Sequence, residues 1–199
     1  MERQCGKCPQ EMDYISQNTM ITIRPARKED AEFIARGFLT AMWMTEEEIA
    51  ELLPTCCDIA RMDDTLYSWR NTCIAQWDGE DAGVLISYDG ATYHDASRKT
   101  FTIVKERGGE DFLNMTEEAE AGEWYIDTLA VRPEFRRKGI ATALLKKGIE
   151  LSRQCPTTHC ATLYVDGDHP WVVDLYKSVG FEHAGEAFIF GQIFQKMKH

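Results

Sequence analysis

What this 199-residue sequence lacks narrows its roles first. No apolar run approaches the roughly 18 residues that cross a bilayer, so no membrane role is expected. The opening stretch, MERQCGKCPQEMDYISQNTM, has no apolar core of the kind an export signal carries. Basic residues are in short supply, with 22 lysines and arginines against 33 acids and a net charge of −11. Nucleic acid recognition depends on a basic footprint, so nucleic acid is not an expected partner. A cationic small molecule would be attracted instead, although acidity also serves solubility. Two common phosphate-binding patterns, GxxxxGK[ST] and GxGxxG, are absent. His94, His159, His183 and His199 show no ligand spacing, and no metal is expected.

Paired cysteines are also missing. The seven are odd in number and irregularly spaced. In a chain without an export signal this predicts reduced thiols and a cytoplasmic protein. Cys5-x-x-Cys8 is half of a zinc or redox signature with no second half, and reads as a chance pair. Cys155 and Cys160 flank a turn and are assigned to packing.

What is present is an ordinary globular composition, 44% hydrophobic and 28% charged. Residues 1–19 read as a polar extension, either disordered or lying before a natural start at Met20. Residues 20–199 read as one domain. Ile21-Thr22-Ile23-Arg24 alternates like a half-buried strand and stops at Pro25. Ala31, Ile34, Ala35, Phe38 and Met42 then mark an amphipathic helix with acids in its first turn. Residues 45–53 predict a second, short helix closed by Pro54. Residues 72–77 and 82–88, joined by Asp78-Gly79-Glu80-Asp81, predict an antiparallel hairpin. From about 93 to 122 the pattern weakens into a charged, partly helical insertion. Residues 123–131 form a strong strand signal ended by Arg132-Pro133. A helix follows from about 139 to 153, then a strand at 161–165, a helix opening at Pro170, and two closing strands near 181–186 and 188–196. That order implies an α/β domain with one mixed sheet and helices on both faces.

Between the strand ending at Val131 and the next helix lies RRKGIATALL, residues 136–145. A helix N-terminus offers unpaired N–H groups and partial positive charge. Gly139 and Ala141 let a ligand come close to the backbone. Arg136, Arg137 and Lys138 add charge where a diphosphate would lie, so the turn suits phosphate oxygens. The same cations also read as a solvated face around an ordinary turn glycine.

The stretch YIDTLAVRPEFRRKGIATALL closely resembles the acetyl-CoA-binding motif of the GNAT superfamily of N-acetyltransferases, through Val131, Pro133, Phe135, Arg136, Gly139 and Ala141. ITIRPARKEDAEFIA is similar to that family's opening strand and helix, and the hairpin at 72–88 to its second and third strands. LYVDGDHPWVVDLYKSVGF resembles a second family motif, with Leu175-Tyr176 followed by Gly180-Phe181. The likeness covers roughly residues 20–197.

The resemblance implies a mostly antiparallel sheet of six to seven strands, with a splayed parallel pair, 123–131 and 161–165, in its middle. Acetyl-CoA would be the co-substrate. Its pantetheine arm would enter the splay beside Leu129, Ala130 and Val131, and its pyrophosphate would lie on Arg136, Arg137, Lys138, Gly139, Ile140, Ala141 and Thr142. His169 stands where the family often has an asparagine that holds pantetheine, and Trp171 and Val172 stand where small residues are usual. Dimers are common in the family, which leaves a homodimer open.

Acetyl transfer needs a neutral amine, and a lysine-like amine is mostly protonated at pH 7. A base must take its proton. Asp127, four residues before Val131, is the candidate, with Glu123 as the alternative through water. A hydrogen-bonded structural aspartate is the competing reading. Regular alternation would put Asp127, Leu129 and Val131 on one face and Ile126, Thr128 and Ala130 on the other. Tyr176 matches the family tyrosine that approaches the CoA sulfur and is the candidate acid. Family analogy places the acceptor among Trp43, Met44, Glu46, Glu47, Glu48, Phe188 and Phe190. The expected function is transfer of an acetyl group to a primary amine of a small molecule, peptide or protein. The alternative is an acyl-CoA-binding sensor or regulatory protein without turnover.

Overall fold

The computed structural model describes residues 12–16, 19–109, 111–113, 117–189 and 191–199, with side chains from Ile21 onward. Eight strands form one sheet: β1 (Met12–Ser16), β2 (Thr19–Pro25), β3 (Thr72–Trp77), β4 (Glu80–Asp89), β5 (Glu123–Val131), β6 (Cys160–Asp166), β7 (Glu182–Ile189) and β8 (Gln192–Lys198). Their order is β1-β2-β3-β4-β5-β6-β8-β7, and only β5 and β6 run parallel. The eighth strand beyond the six or seven expected is β1, an edge strand on β2 drawn from the segment read as a polar extension. The Cys5/Cys8 pair lies outside the described residues.

Among the described residues the helices are α1 (Ala31–Ala41), α2 (Glu46–Arg61), α3 (Tyr93–Glu106), α4 (Ile140–Gln154) and α5 (Pro170–Ser178). One core cluster joins Ile34, Phe38 and Leu39 of α1, Ile49, Cys56 and Ala60 of α2 and Phe101 of α3 to Ile74, Val84, Ile86 and Tyr125 of the sheet. The other joins Ile140, Leu144, Leu145 and Ile149 of α4 and Tyr176 of α5 to Leu85, Ile126, Leu163 and Val165. Helices therefore cover both faces, and two layers of burial supply most of the driving force for the fold. No described helix is long and apolar enough to cross a membrane.

Two boundaries differ from expectation. The helix expected to close at Pro54 runs on to Arg61 with the proline inside it. Loss of one backbone hydrogen bond is outweighed by burial of Ile49, Cys56, Cys57, Ile59 and Ala60 along one face. The weak segment after residue 92 begins with α3, whose buried Tyr93, Ser97, Thr100 and Phe101 recur at helical spacing among charges. Among the described residues, Cys56, Cys57, Cys73, Cys155 and Cys160 are buried thiols outside any disulfide, and burial pushes the Cys56 thiol up to about 12.

Candidate active site

The parallel pair opens into a cleft. Strands β5 and β6 are matched only at Glu123–Cys160, Trp124–Ala161 and Tyr125–Thr162. Beyond those three positions β5 continues to Val131 against β4 alone, while β6 turns to β8. The Arg132 N–H donates to Ala82 O on the β4 side (2.9 Å). By alternation, the amides of Leu129 and Val131 face away from β4, into the opening, and that of Ala130 faces β4. The carbonyl of Val131 accepts from the Arg136 Nε–H at 3.1 Å.

The phosphate-type turn stands at the mouth of this opening. Pro133–Phe135 makes one 3₁₀ turn, pinned by buried Phe135. Arg137 and Gly139 both have left-handed backbone, φ 63° and 85°. Gly139 is the N-cap of α4 and its side-chain position supplies no cap, so the N–H groups that open the helix are left to a ligand or solvent. A Cβ added at Gly139 would come no nearer than 4.0 Å to another atom, so conformation rather than crowding explains the glycine. The three cations part ways. Arg136 turns to Val131, Lys138 lies over the rings of Trp77 and Phe135 at 4.9 and 5.0 Å, and Arg137 is exposed. Ile140 anchors the first turn in the core, and Ala141 and Thr142 are half-buried beside it.

A bulge in β5 moves the candidate base. Ile86 pairs with Thr128 and Ser87 with Ile126, so Asp127 is the extra residue. The expected grouping of Asp127 with Leu129 and Val131 is thereby overturned. Leu129 and Val131 pack with α4 and its cluster, whereas Asp127 faces the α1–α3 side. There its Oδ2 accepts from the Tyr88 hydroxyl at 2.6 Å and its Oδ1 from the Thr128 hydroxyl at 2.9 Å. Burial raises the Asp127 pKa, against the pull of those two hydrogen bonds.

Glu123 lies on the same side, but Lys196 Nζ sits 2.7 Å from its Oε1 and the Thr162 hydroxyl donates to its Oε2 at 3.2 Å. That carboxylate is already engaged in tying β5 to β6 and β8. Tyr176 is on the opposite face, buried in the α4–α5 cluster with its ring edge-on to Phe181. Burial, and then the charge of Asp166, pushes its pKa up to about 12, so it stays a proton donor throughout the neutral range.

At the rim, His169 Nδ1 lies 2.9 Å from Asp166 Oδ1, which accepts from it, and the ring stacks on Trp43 at 4.2 Å. Trp171 meets His169 edge-on and is 61% exposed, so it lies at the surface of the opening. Trp43 holds a left-handed backbone (φ 59°), an uncommon conformation for a bulky residue, and bridges the α1–α2 turn to the β6–α5 loop. Among the residues expected to meet the acceptor, Glu48 forms a capping box with Thr45 and so starts α2. Glu46 and Glu47 are exposed in that first turn, Phe188 is exposed on β7, and Phe190 lies outside the described residues.

Sequence reasoning missed the group around Asp127. The Tyr125 hydroxyl donates to Glu118 Oε2 at 2.7 Å, and Tyr88, Tyr93 and Tyr125 make successive ring contacts. Burial, and then the charge of Asp127, raises Glu118 to about 7. Four of the chain's seven tyrosines, Tyr67, Tyr88, Tyr93 and Tyr125, surround the two acids. They are scattered along the sequence, Tyr88 and Tyr125 in strand runs and Tyr67 and Tyr93 among polar residues, which left little signal. Among the described residues no three histidines, cysteines or acids are placed to hold a metal.

A central parallel pair thus parts at its C-terminal ends beside a glycine-started helix in an α/β domain. The sequence model described as the acetyltransferase (GNAT) family matches residues 42–181, and the chain belongs to that family. A solved acetyltransferase is 26% identical, with 88% of this chain and 97% of that one covered and a TM-score of 0.70. An N-acetyltransferase from Staphylococcus aureus Mu50 is 23% identical, with 89% and 99% covered and a TM-score of 0.74. Naa50 of Arabidopsis thaliana, solved with the bisubstrate analogue CoA-Ac-MVNAL, is 14% identical, with 90% and 97% covered and a TM-score of 0.53. No curated protein matches the chain.

Proposed function

We propose that this acetyltransferase moves an acetyl group from acetyl-CoA to a primary amine. The observation that carries the reading is the parting of β5 and β6 immediately after Tyr125 and Thr162, with Asp127 at the apex and the open start of α4 at the mouth. The residues fit the group: the amides of Leu129 and Val131 suit an amide-bearing arm, and those opening α4 suit a diphosphate. Arg137 is placed to add charge there, and Arg136 would join it on releasing Val131. When bound, acetyl-CoA supplies the acetyl group as a thioester.

Asp127 accepts a proton from the incoming ammonium and leaves a neutral amine lone pair. That lone pair forms the C–N bond as the C–S bond breaks, and the amide nitrogen then sheds its second proton to water. Tyr176, on the other face of the opening, returns a proton to the departing thiolate. Asp127 and Tyr176 face opposite layers of the fold, which suits an acceptor and a cofactor arriving from opposite sides. The five buried cysteines of the described residues, none in a disulfide, fit a reducing compartment, the cytoplasm.

Isothermal titration with acetyl-CoA, beside dephospho-CoA and free pantetheine, tests the binding half of this reading. Binding lost with the diphosphate supports it, and a screen of amine acceptors follows. Binding without transfer to any amine would favour the acyl-CoA sensor instead.

A further inference from the structure

The segment between α3 and β5 delivers Glu118 to the candidate base. Its Oε2 takes the Tyr125 hydroxyl at 2.7 Å, while Asp127 Oδ2 takes the Tyr88 hydroxyl at 2.6 Å. Those two tyrosines touch edge to face, with centroids 5.8 Å apart. The two acids are therefore linked through two touching tyrosines, on the α1–α3 side of the sheet. The groups that face them are Tyr67 after α2, Tyr88 on β4, Tyr93 on α3, Tyr125 on β5 and Tyr164 on β6, whose ring meets that of Tyr125. Cys56 of α2 acts on Tyr67, Glu117 acts on Tyr93 and Glu120 on Tyr164. Further along, Lys196 is occupied by Glu123.

Among the described residues, no lysine or arginine forms an ion pair with Glu118 or Asp127, whose side-chain partners are hydroxyls. Two half-buried carboxylates without a cation cannot both stay charged at low cost. Such a pair holds one proton between its members or meets a cationic ligand, and it titrates as a unit. An amine arriving as an ammonium meets both needs.

We propose that Glu118 is a positioning residue for acetyl transfer: it acts through Asp127, forming with it a carboxylate pair that receives the acceptor's ammonium and raises the basicity of Asp127. The proton leaving the amine nitrogen goes to Asp127, and Glu118 supplies the neighbouring negative charge that favours its staying there. This rests on the acetyltransferase reading above.

The test is Glu118→Gln, which keeps the shape and an acceptor oxygen for Tyr125. Removing the like charge lowers the proton affinity of Asp127. The acid limb of kcat/KM with one fixed amine should therefore move to lower pH by about one pH unit, and the plateau should fall about tenfold. Acetyl-CoA affinity should stay unchanged. Carboxyl ¹³C NMR of the free protein gives a second readout, with a resonance titrating near neutrality that disappears in Glu118→Gln while that of Asp127 shifts. Tyr125→Phe, which removes the hydrogen bond but no charge, should move the Glu118 titration upward. An unchanged pH profile and an unmoved Asp127 resonance would overturn the proposal. Failure of the base assignment itself would look different, since Asp127→Asn would then keep wild-type turnover.

Discussion

The two halves of the site are built in opposite ways. The proposed cofactor side is one contiguous turn, residues 132–142, and the chemistry proposed for it comes mostly from backbone. The proposed acceptor side is assembled from positions 67, 88, 93, 118, 125 and 127, and the chemistry proposed for it comes from side chains. A backbone site tolerates most substitutions as long as φ at Gly139 is kept, whereas a side-chain site fails at single atoms.

That contrast can be broken at several points. The largest effect is expected on the acceptor side, where Asp127→Asn should lower kcat by about 10²–10⁴-fold with acetyl-CoA affinity preserved, as read by steady-state kinetics beside calorimetry. On the cofactor side, Gly139→Glu places a carboxylate over the helix start and strains a backbone at φ 85°. It should weaken acetyl-CoA binding about 100-fold, while the open space around Gly139 lets the fold survive. Normal affinity in a folded variant would refute the phosphate role of this turn. Tyr176→Phe should cost about tenfold in kcat, and no basic limb from this hydroxyl should appear below about 12.

Smaller effects fall outside both halves and measure the scaffold alone. Asp30 accepts from Arg24 at 2.7 and 2.9 Å, and Arg24 also reaches Asp81. Burial pulls the Asp30 pKa upward, but the hydrogen bonds from Arg24 and from the Arg27 N–H outweigh it and leave it lowered. A lowered folded-state value means stability that is complete above the unfolded pKa, near 4, and is lost as pH falls through the folded one. Asp30→Asn should cost about 1–3 kcal/mol at pH 7 and flatten that acid dependence in urea melts. Thr45→Ala, which removes the cap of α2, should cost about 1 kcal/mol and leave turnover alone.

The same contrast explains what could be read in advance. The turn was legible because its signals are neighbours in sequence: a strand ending at Val131, a proline, a glycine and a helical stripe. The strand–helix order was legible for a similar reason, through local periodicity. Asp127 stood out as an acid in an apolar run, yet its facing was misread because strict alternation cannot register a bulge. Glu118 was hidden among the acids of a charged segment, and only tertiary structure brings it to Tyr125. Pro54 misled because the strength of the apolar face behind it depends on partners that come from α1 and α3.

The single added residue in β5 has an engineering consequence. A strand of uniform phase can address one chemical compartment with each face along its whole length. By slipping phase at Asp127, β5 presents Tyr125 and Asp127 to one compartment and then Leu129 and Val131 to the other. Deleting one residue there would regularise the ladder with β4 and would be scored favourably by any criterion based on sheet pairing. It would also exchange the two compartments' inventories, so a more regular sheet would be obtained by dismantling the division of labour within the strand.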